Sequence, residues 1–164
     1  MFQVLVFFVT LVAVNVGSFK YASSSQLGTV EFPTSSSGPA QKHFIRGVAA
    51  LHSFWYTEAI SAFEQSTIVD PDFAMGYWGL AMAHNHPLWE DQDKKSASEA
   101  LSKITGFSKL TRREQGYIHA VRLLYGDGEK HIRDKAYSKA MENIYHNYPD
   151  DLEAACFYSL SKLG

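Results

Sequence analysis

The stretch AMAHNHPLW, residues 81–89, places two histidines one residue apart, a combination able to ligate a metal or move a proton. Zinc takes three or four ligands, usually histidine, cysteine or carboxylate. His52, His84, His86 and His119 are the candidate ligands, with Glu90 or Asp91 available to complete a set. Residues two apart on a helix do not share a face. Pro87 changes this for His86, because the residue before a proline leaves the helical region and its ring can swing back. A metal-dependent enzyme or metal carrier built on these four histidines is therefore one reading, although no HExxH accompanies them. The second reading is a helix end, and it is preferred. There His84 packs, and His86 bonds the carbonyls left open at the helix C-terminus, where partial negative charge favours it. Pro87, Leu88 and Trp89 then pack across the end of the helix pair.

Other reactive side chains add little chemistry. Cys156 is the only cysteine and sits in an apolar run, so it reads as a small buried hydrophobe. Glu58 and Glu64 read as surface residues, Asp70 and Asp72 as cap and turn residues around Pro71, and Asp150-Asp151 as the N-cap of a final helix. No serine-nucleophile motif or phosphate-cradling glycine loop is present, and Gly126–Glu129 is too short for a calcium loop. The chain is expected to be non-catalytic, with no cofactor.

The aromatic residues offer binding instead. Trp55, Tyr56, Tyr77, Trp78 and Trp89 cluster in the sequence, and most of that cluster reads as packing. Trp78 lies off the stripe formed by Tyr77, Leu80 and Ala81, so it is predicted to anchor a peptide on an inner surface. His43, Arg46 and Asn85 complete the expected ligand-binding set, each predicted off the packing stripes.

The elements that position these residues read as helices throughout. Phe44, Val48, Leu51 and Trp55 recur at helical spacing on a first helix. A second runs from about Thr57 to Val69 with Ile60, Phe63 and Thr67 on its stripe, and Asp70-Pro71 breaks it. A third, from about Asp72 to His84, ends before Pro87. Ala97, Leu101 and Ile104 mark a fourth. Thr111-Arg-Arg-Glu114 is a capping box opening a fifth, in which hydroxyl and carboxylate each satisfy a backbone N–H of the first turn. Two more run from about His131 to His146 and from Asp151 to Leu163. No sustained alternation of β-branched residues occurs. The domain from residue 40 to 164 is predicted all-α, and its short connections make antiparallel helix hairpins that stack to cover their apolar faces.

Gly47, Tyr56, Ala59, Phe63 and Pro71 fall at the spacings of a tetratricopeptide repeat, and Tyr77, Leu80 and Ala81 continue the register. The segment GVAALHSFWYTEAISAFEQSTIVDPDFAMGYWGLAMAHNHPLW, together with the later YPDDLEAACFYSLSKL, resembles an uncharacterised family of large tetratricopeptide-repeat proteins, widespread in bacteria and present in some animals. The likeness spans almost everything from Ala40 onward; the first repeat is specific and the later ones degenerate. It implies a tetratricopeptide-like solenoid acting as a scaffold for a protein or peptide segment, and it implies no enzyme activity. The last helix, with Ala154, Cys156, Phe157 and Leu160, reads either as a terminal cap or as the edge of a truncated fragment.

The N-terminus stands apart. Phe2–Val16 is almost wholly apolar, too short for a comfortable membrane span and suited to a signal-peptide core, so residues 1–18 are expected to be a secretory signal. An uncleaved membrane anchor is the alternative; after cleavage no stable membrane insertion is expected. Residues 19–39, rich in Ser, Gly, Pro and Thr, read as a flexible or irregular lead-in. A net charge of -2, with lysines and arginines dispersed, gives no electrostatic reason for nucleic acid as a partner.

Overall fold

The computed structural model describes residues 27–36 and 38–163; the expected signal segment lies outside the described residues. Among them the protein is mostly α-helical, with seven α-helices and one pair of two-residue strands. The helices are α1 Pro39–His52, α2 Tyr56–Val69, α3 Ala74–Ala83, α4 Lys94–Ser102, α5 Arg112–Leu124, α6 Lys130–Asn147 and α7 Leu152–Leu160. The strands, β1 Asn85–His86 and β2 Asp91–Gln92, pair antiparallel around a 3-10 turn at Pro87–Trp89.

Local sequence sets most boundaries. Thr111 and Glu114 form the capping box in full, the hydroxyl accepting from the Glu114 amide and the carboxylate from the Thr111 amide. Asp93 caps α4 and Asp151 caps α7 through their carboxylates. The first helix ends earlier than its apolar spacing predicts. Phe54 takes a left-handed φ of 54°, and the amides of Phe54 and Trp55 bond back to Leu51 and Ala50. These paired bonds close α1 in a Schellman turn. Trp55 therefore leaves the helix face predicted for it and sits exposed before α2.

Helices adjacent in sequence pack on one another from α1 to α4 and from α5 to α7, and α3 also touches α1 and α5. That central position explains why α3 has no polar face. Ala74, Met75, Gly76, Trp78, Gly79, Ala81, Met82 and Ala83 are all buried, as expected of a helix covered on every side. The expected stripe of Tyr77, Leu80 and Ala81 thus does not separate inside from outside, and Trp78, predicted off it, lies in the core at 1% exposure.

Phe63 of α2 locks the first three helices together. A Cβ built at Gly47 would lie 2.5 Å from its ring, and one at Gly79 only 2.3 Å away. Both glycines are needed for α1 and α3 to approach this buried aromatic, because close-packed interiors leave no room for an extra methyl.

Candidate functional site

Phe44, Trp78 and Tyr117, one residue each from α1, α3 and α5, wall an aromatic pocket. The ring of Phe32 fills it, with centroids 5.1, 5.4 and 4.9 Å from those three. Phe32 belongs to the lead-in, whose residues 27–36 carry no helix or strand, and it is seated in the core at 1% exposure. Phe157 of α7 packs on the same walls, 5.4 Å from Trp78 and 6.3 Å from Tyr117.

Side chains from two helices grip the backbone of this extended segment. Gln41 Nε2 donates to the Phe32 carbonyl at 2.8 Å, and Arg113 Nη1 donates to the Pro33 carbonyl at 3.0 Å. The Arg113 guanidinium also lies over the Phe32 ring, 4.2 Å from its centroid. The Ser35 amide and hydroxyl both donate to Glu114 Oε1, at 2.8 and 2.9 Å. The other oxygen of Glu114 accepts from the Thr111 amide and hydroxyl at 2.9 and 2.7 Å. One buried carboxylate thus starts α5 and fastens the segment.

Electrostatics at this end of the pocket follow from burial and pairing. Burial pushes the Glu114 carboxyl up, but the hydrogen bonds from Ser35 and Thr111 outweigh it and hold the group below its ordinary value. Burial alone would lower the Arg113 guanidinium, and its bond with Asp151 more than reverses that. Burial, reinforced by Asp151, drives the Tyr117 phenol far above its ordinary value. The arrangement holds backbone amides and carbonyls and an aromatic side chain; it presents no activated nucleophile.

The structure distributes the predicted ligand-binding residues over three places. His43 and Arg46 share a depression of about 260 Å³ with Ser61 and Gln65, where Arg46 is ion-paired to Glu58. Asn85 accepts a hydrogen bond from Gln92 Nε2 at 2.9 Å and lines a narrow internal cavity of about 20 Å³. Trp78, expected on an open inner surface as an anchor, is instead in the core, covered by Phe32 and Phe157 of the same chain.

The four candidate metal ligands do not converge. His52 Nε2 lies 2.5 Å from Glu153 Oε2 on α7. His84 caps α3, where burial lowers its imidazole and His86 adds to that, while Asp93 and Glu64 pull the other way. His86 Nδ1 meets Asp91 Oδ2 at 3.0 Å, and its Nε2 meets the Ala83 carbonyl at 3.2 Å. His119 is exposed on a groove of about 860 Å³ between α5 and α6, lined also by Arg112, Gln115 and Lys139. Among the described residues no three His, Cys, Asp or Glu side chains assemble to hold a metal ion.

The stretch AMAHNHPLW therefore ends a helix, with His86 on the Ala83 carbonyl as the helix-end reading expects. Pro87 is buried, whereas Leu88 and Trp89 are exposed rather than packed across the helix ends. The strand pairing turns the chain at that point and lifts both side chains off the core. Cys156, expected to be buried, is exposed on α7.

Phe32 lies far from Arg113 and Glu114 in the sequence, and the three are not legible there as parts of one site. The one signal available was Glu31-Phe-Pro33, an aromatic residue held extended before a proline within an otherwise small and polar run. Compared with known proteins, the chain matches no family model, no curated protein and no solved structure.

Proposed function

We propose that this protein is a non-catalytic, tetratricopeptide-like scaffold that holds extended peptide segments on the inner face shared by α1, α3 and α5. The observation that carries this reading is the mode in which Glu31–Ser36 is bound. An aromatic side chain enters a pocket of three aromatic walls, while Gln41, Arg113 and Glu114 take up the backbone groups of Phe32, Pro33 and Ser35. Grip on the main chain with one side-chain pocket is how a groove recognises an extended peptide. The Phe63 contact with Gly47 and Gly79 supports the repeat register, since small residues on α1 and α3 flank the aromatic of α2 between them. Export through residues 1–18 would place the groove in the secretory pathway or outside the cell, where its partner is a protein or peptide segment.

The test uses the full chain carrying Phe32→Ala, which empties the pocket. A synthetic peptide of residues 27–38 is then added in trans. The melting temperature should rise with peptide concentration, as mass action requires of a ligand that binds only the folded state. A peptide with alanine in place of phenylalanine should give no rise. If neither peptide raises it, the pocket is ordinary core and the reading falls.

A further inference from the structure

On a different face, three aromatic rings meet without filling one another. Phe54 follows α1, Tyr56 opens α2, and Trp89 stands on the turn between β1 and β2. Their centroids are 6.5, 6.3 and 6.0 Å apart, and their planes are inclined at 62°, 74° and 80°. Rings so inclined meet edge to face; Tyr56 is half-buried, with the His86 ring 4.0 Å away, while Phe54 and Trp89 open to solvent. Phe54 is 40% exposed and Trp89 is 61% exposed.

We propose that Phe54, Tyr56 and Trp89 form a receptor for the guanidinium of an arginine on a partner protein. A cation seated over the triangle of centroids lies within about 5 Å of all three, inside the roughly 6 Å over which ring faces attract positive charge. Negative charge borders the same corner. Glu90 follows Trp89 and is exposed, and Asp91 accepts from His86, whose ring lies tilted against Tyr56 with centroids 4.0 Å apart. Positively chargeable groups close by include His86, which faces Asp91, and His52, which faces Glu153, so each of these two already has a carboxylate partner.

The chemistry favours arginine over lysine. A guanidinium is planar, weakly hydrated and able to stack on an aromatic face while its edge forks to a carboxylate. A primary ammonium holds its water more tightly, and ring faces replace that water poorly. Phe54 also lines an apolar groove of about 490 Å³ with Leu51, Leu160 and Leu163, giving the chain on one side of the arginine an apolar track.

The backbone agrees with a role for these side chains. Phe54 and Glu90 are the non-glycine residues with positive φ among the described residues, at 54° and 53°. Phe54 occupies the position of the Schellman turn that glycine normally fills. A phenylalanine there costs backbone energy, and what it supplies in return is an aromatic wall.

This proposal does not depend on the inner-face reading, because it uses other residues and an uncovered surface. The experiment follows the indole N–H signals of Trp55, Trp78 and Trp89 by NMR in the intact chain. The probes are acetyl-Gly-Arg-Gly-amide, its lysine and citrulline counterparts, and tetramethylammonium chloride. The arginine peptide should shift the Trp89 signal and leave buried Trp78 unmoved. Lysine should bind several-fold more weakly, and the uncharged citrulline peptide should lose the shift. Phe54→Gly should keep or raise the melting temperature yet weaken arginine binding roughly three- to tenfold. Equal shifts with citrulline, unchanged binding by Phe54→Gly, or no Trp89 response to any cation would overturn the proposal. Tetramethylammonium binding as tightly as arginine would overturn the guanidinium assignment.

Discussion

The Arg113 guanidinium and the Asp151 carboxylate meet edge to edge, Nε to Oδ2 at 2.6 Å and Nη2 to Oδ1 at 3.0 Å. The same carboxylate accepts from the Tyr117 hydroxyl at 3.1 Å and caps α7 through the Ala154 amide at 3.2 Å. Arg113 in turn reaches the Pro33 carbonyl. One ion pair therefore connects α5, the start of α7 and the extended segment in the inner pocket. Its two side chains are only 14% and 8% exposed, so solvent screens the pair weakly.

Asp151→Ala should consequently destabilise the protein by about 3–5 kcal/mol, because it leaves a largely buried guanidinium without its carboxylate. Loss of the N-cap is about 1 kcal/mol of that. The double variant Arg113→Met, Asp151→Ala should be more stable than Asp151→Ala alone. Urea unfolding of the parent and the two variants decides it; a single-variant cost under about 1 kcal/mol would show that the pair holds nothing together.

Glu114 gives a pH dependence with a definite sign. Its carboxyl titrates lower in the folded protein than in the unfolded chain, burial being outweighed by the bonds from Ser35 and Thr111. Its contribution is then complete above the ordinary carboxylate range and is lost as pH falls through the lowered folded value. Glu114→Gln should reduce stability at neutral pH and flatten the decline on the acid side. Urea titrations from neutral to acid pH measure the difference; parallel curves for the two proteins would count against the assignment.

Gly79→Ala tests the fit around Phe63. Helix propensity alone predicts a gain of about 1 kcal/mol for alanine in place of glycine in a helix. The new methyl would instead meet the Phe63 ring at 2.3 Å, in a core where that ring is fully buried. A net loss of about 1–3 kcal/mol is expected, with partial recovery when Phe63→Leu is added. A melting temperature at or above the parent's would mean the ring has room to move.

Chelation addresses the histidines. Because His52, His86 and His119 are held in separate places, removing divalent metal with EDTA should leave the melting temperature unchanged. His84→Ala combined with His86→Ala should cost stability equally with and without chelator. A drop on chelation that the double variant abolishes would restore a metal site.

The sequence was most legible where structure depends on neighbours along the chain. The capping box at Thr111 and Glu114, the Asp151 cap, the break at Asp70-Pro71 and the bond from His86 to the end of α3 all join residues a few positions apart. Partners far apart in sequence were not legible. His52 and Glu153 are 101 residues apart, and nothing local marks either as the other's partner. Phe32 stands alone in a run without period, so no repeated spacing could reveal it as core.

Trp78 shows the limit most clearly. Periodicity assigns one inner face to each helix, an inference that works when a helix is covered on one side. Because α3 is packed against α1, α2, α4 and α5, nearly all its faces are inner ones and the stripe carries no direction. By itself the sequence determined a mostly helical domain and most places where its helices begin and end, since caps and breakers act within a few residues. Which side chains face one another, and which aromatic residues are covered or left open, was decided only when the helices packed, because burial is a property of all the neighbours together.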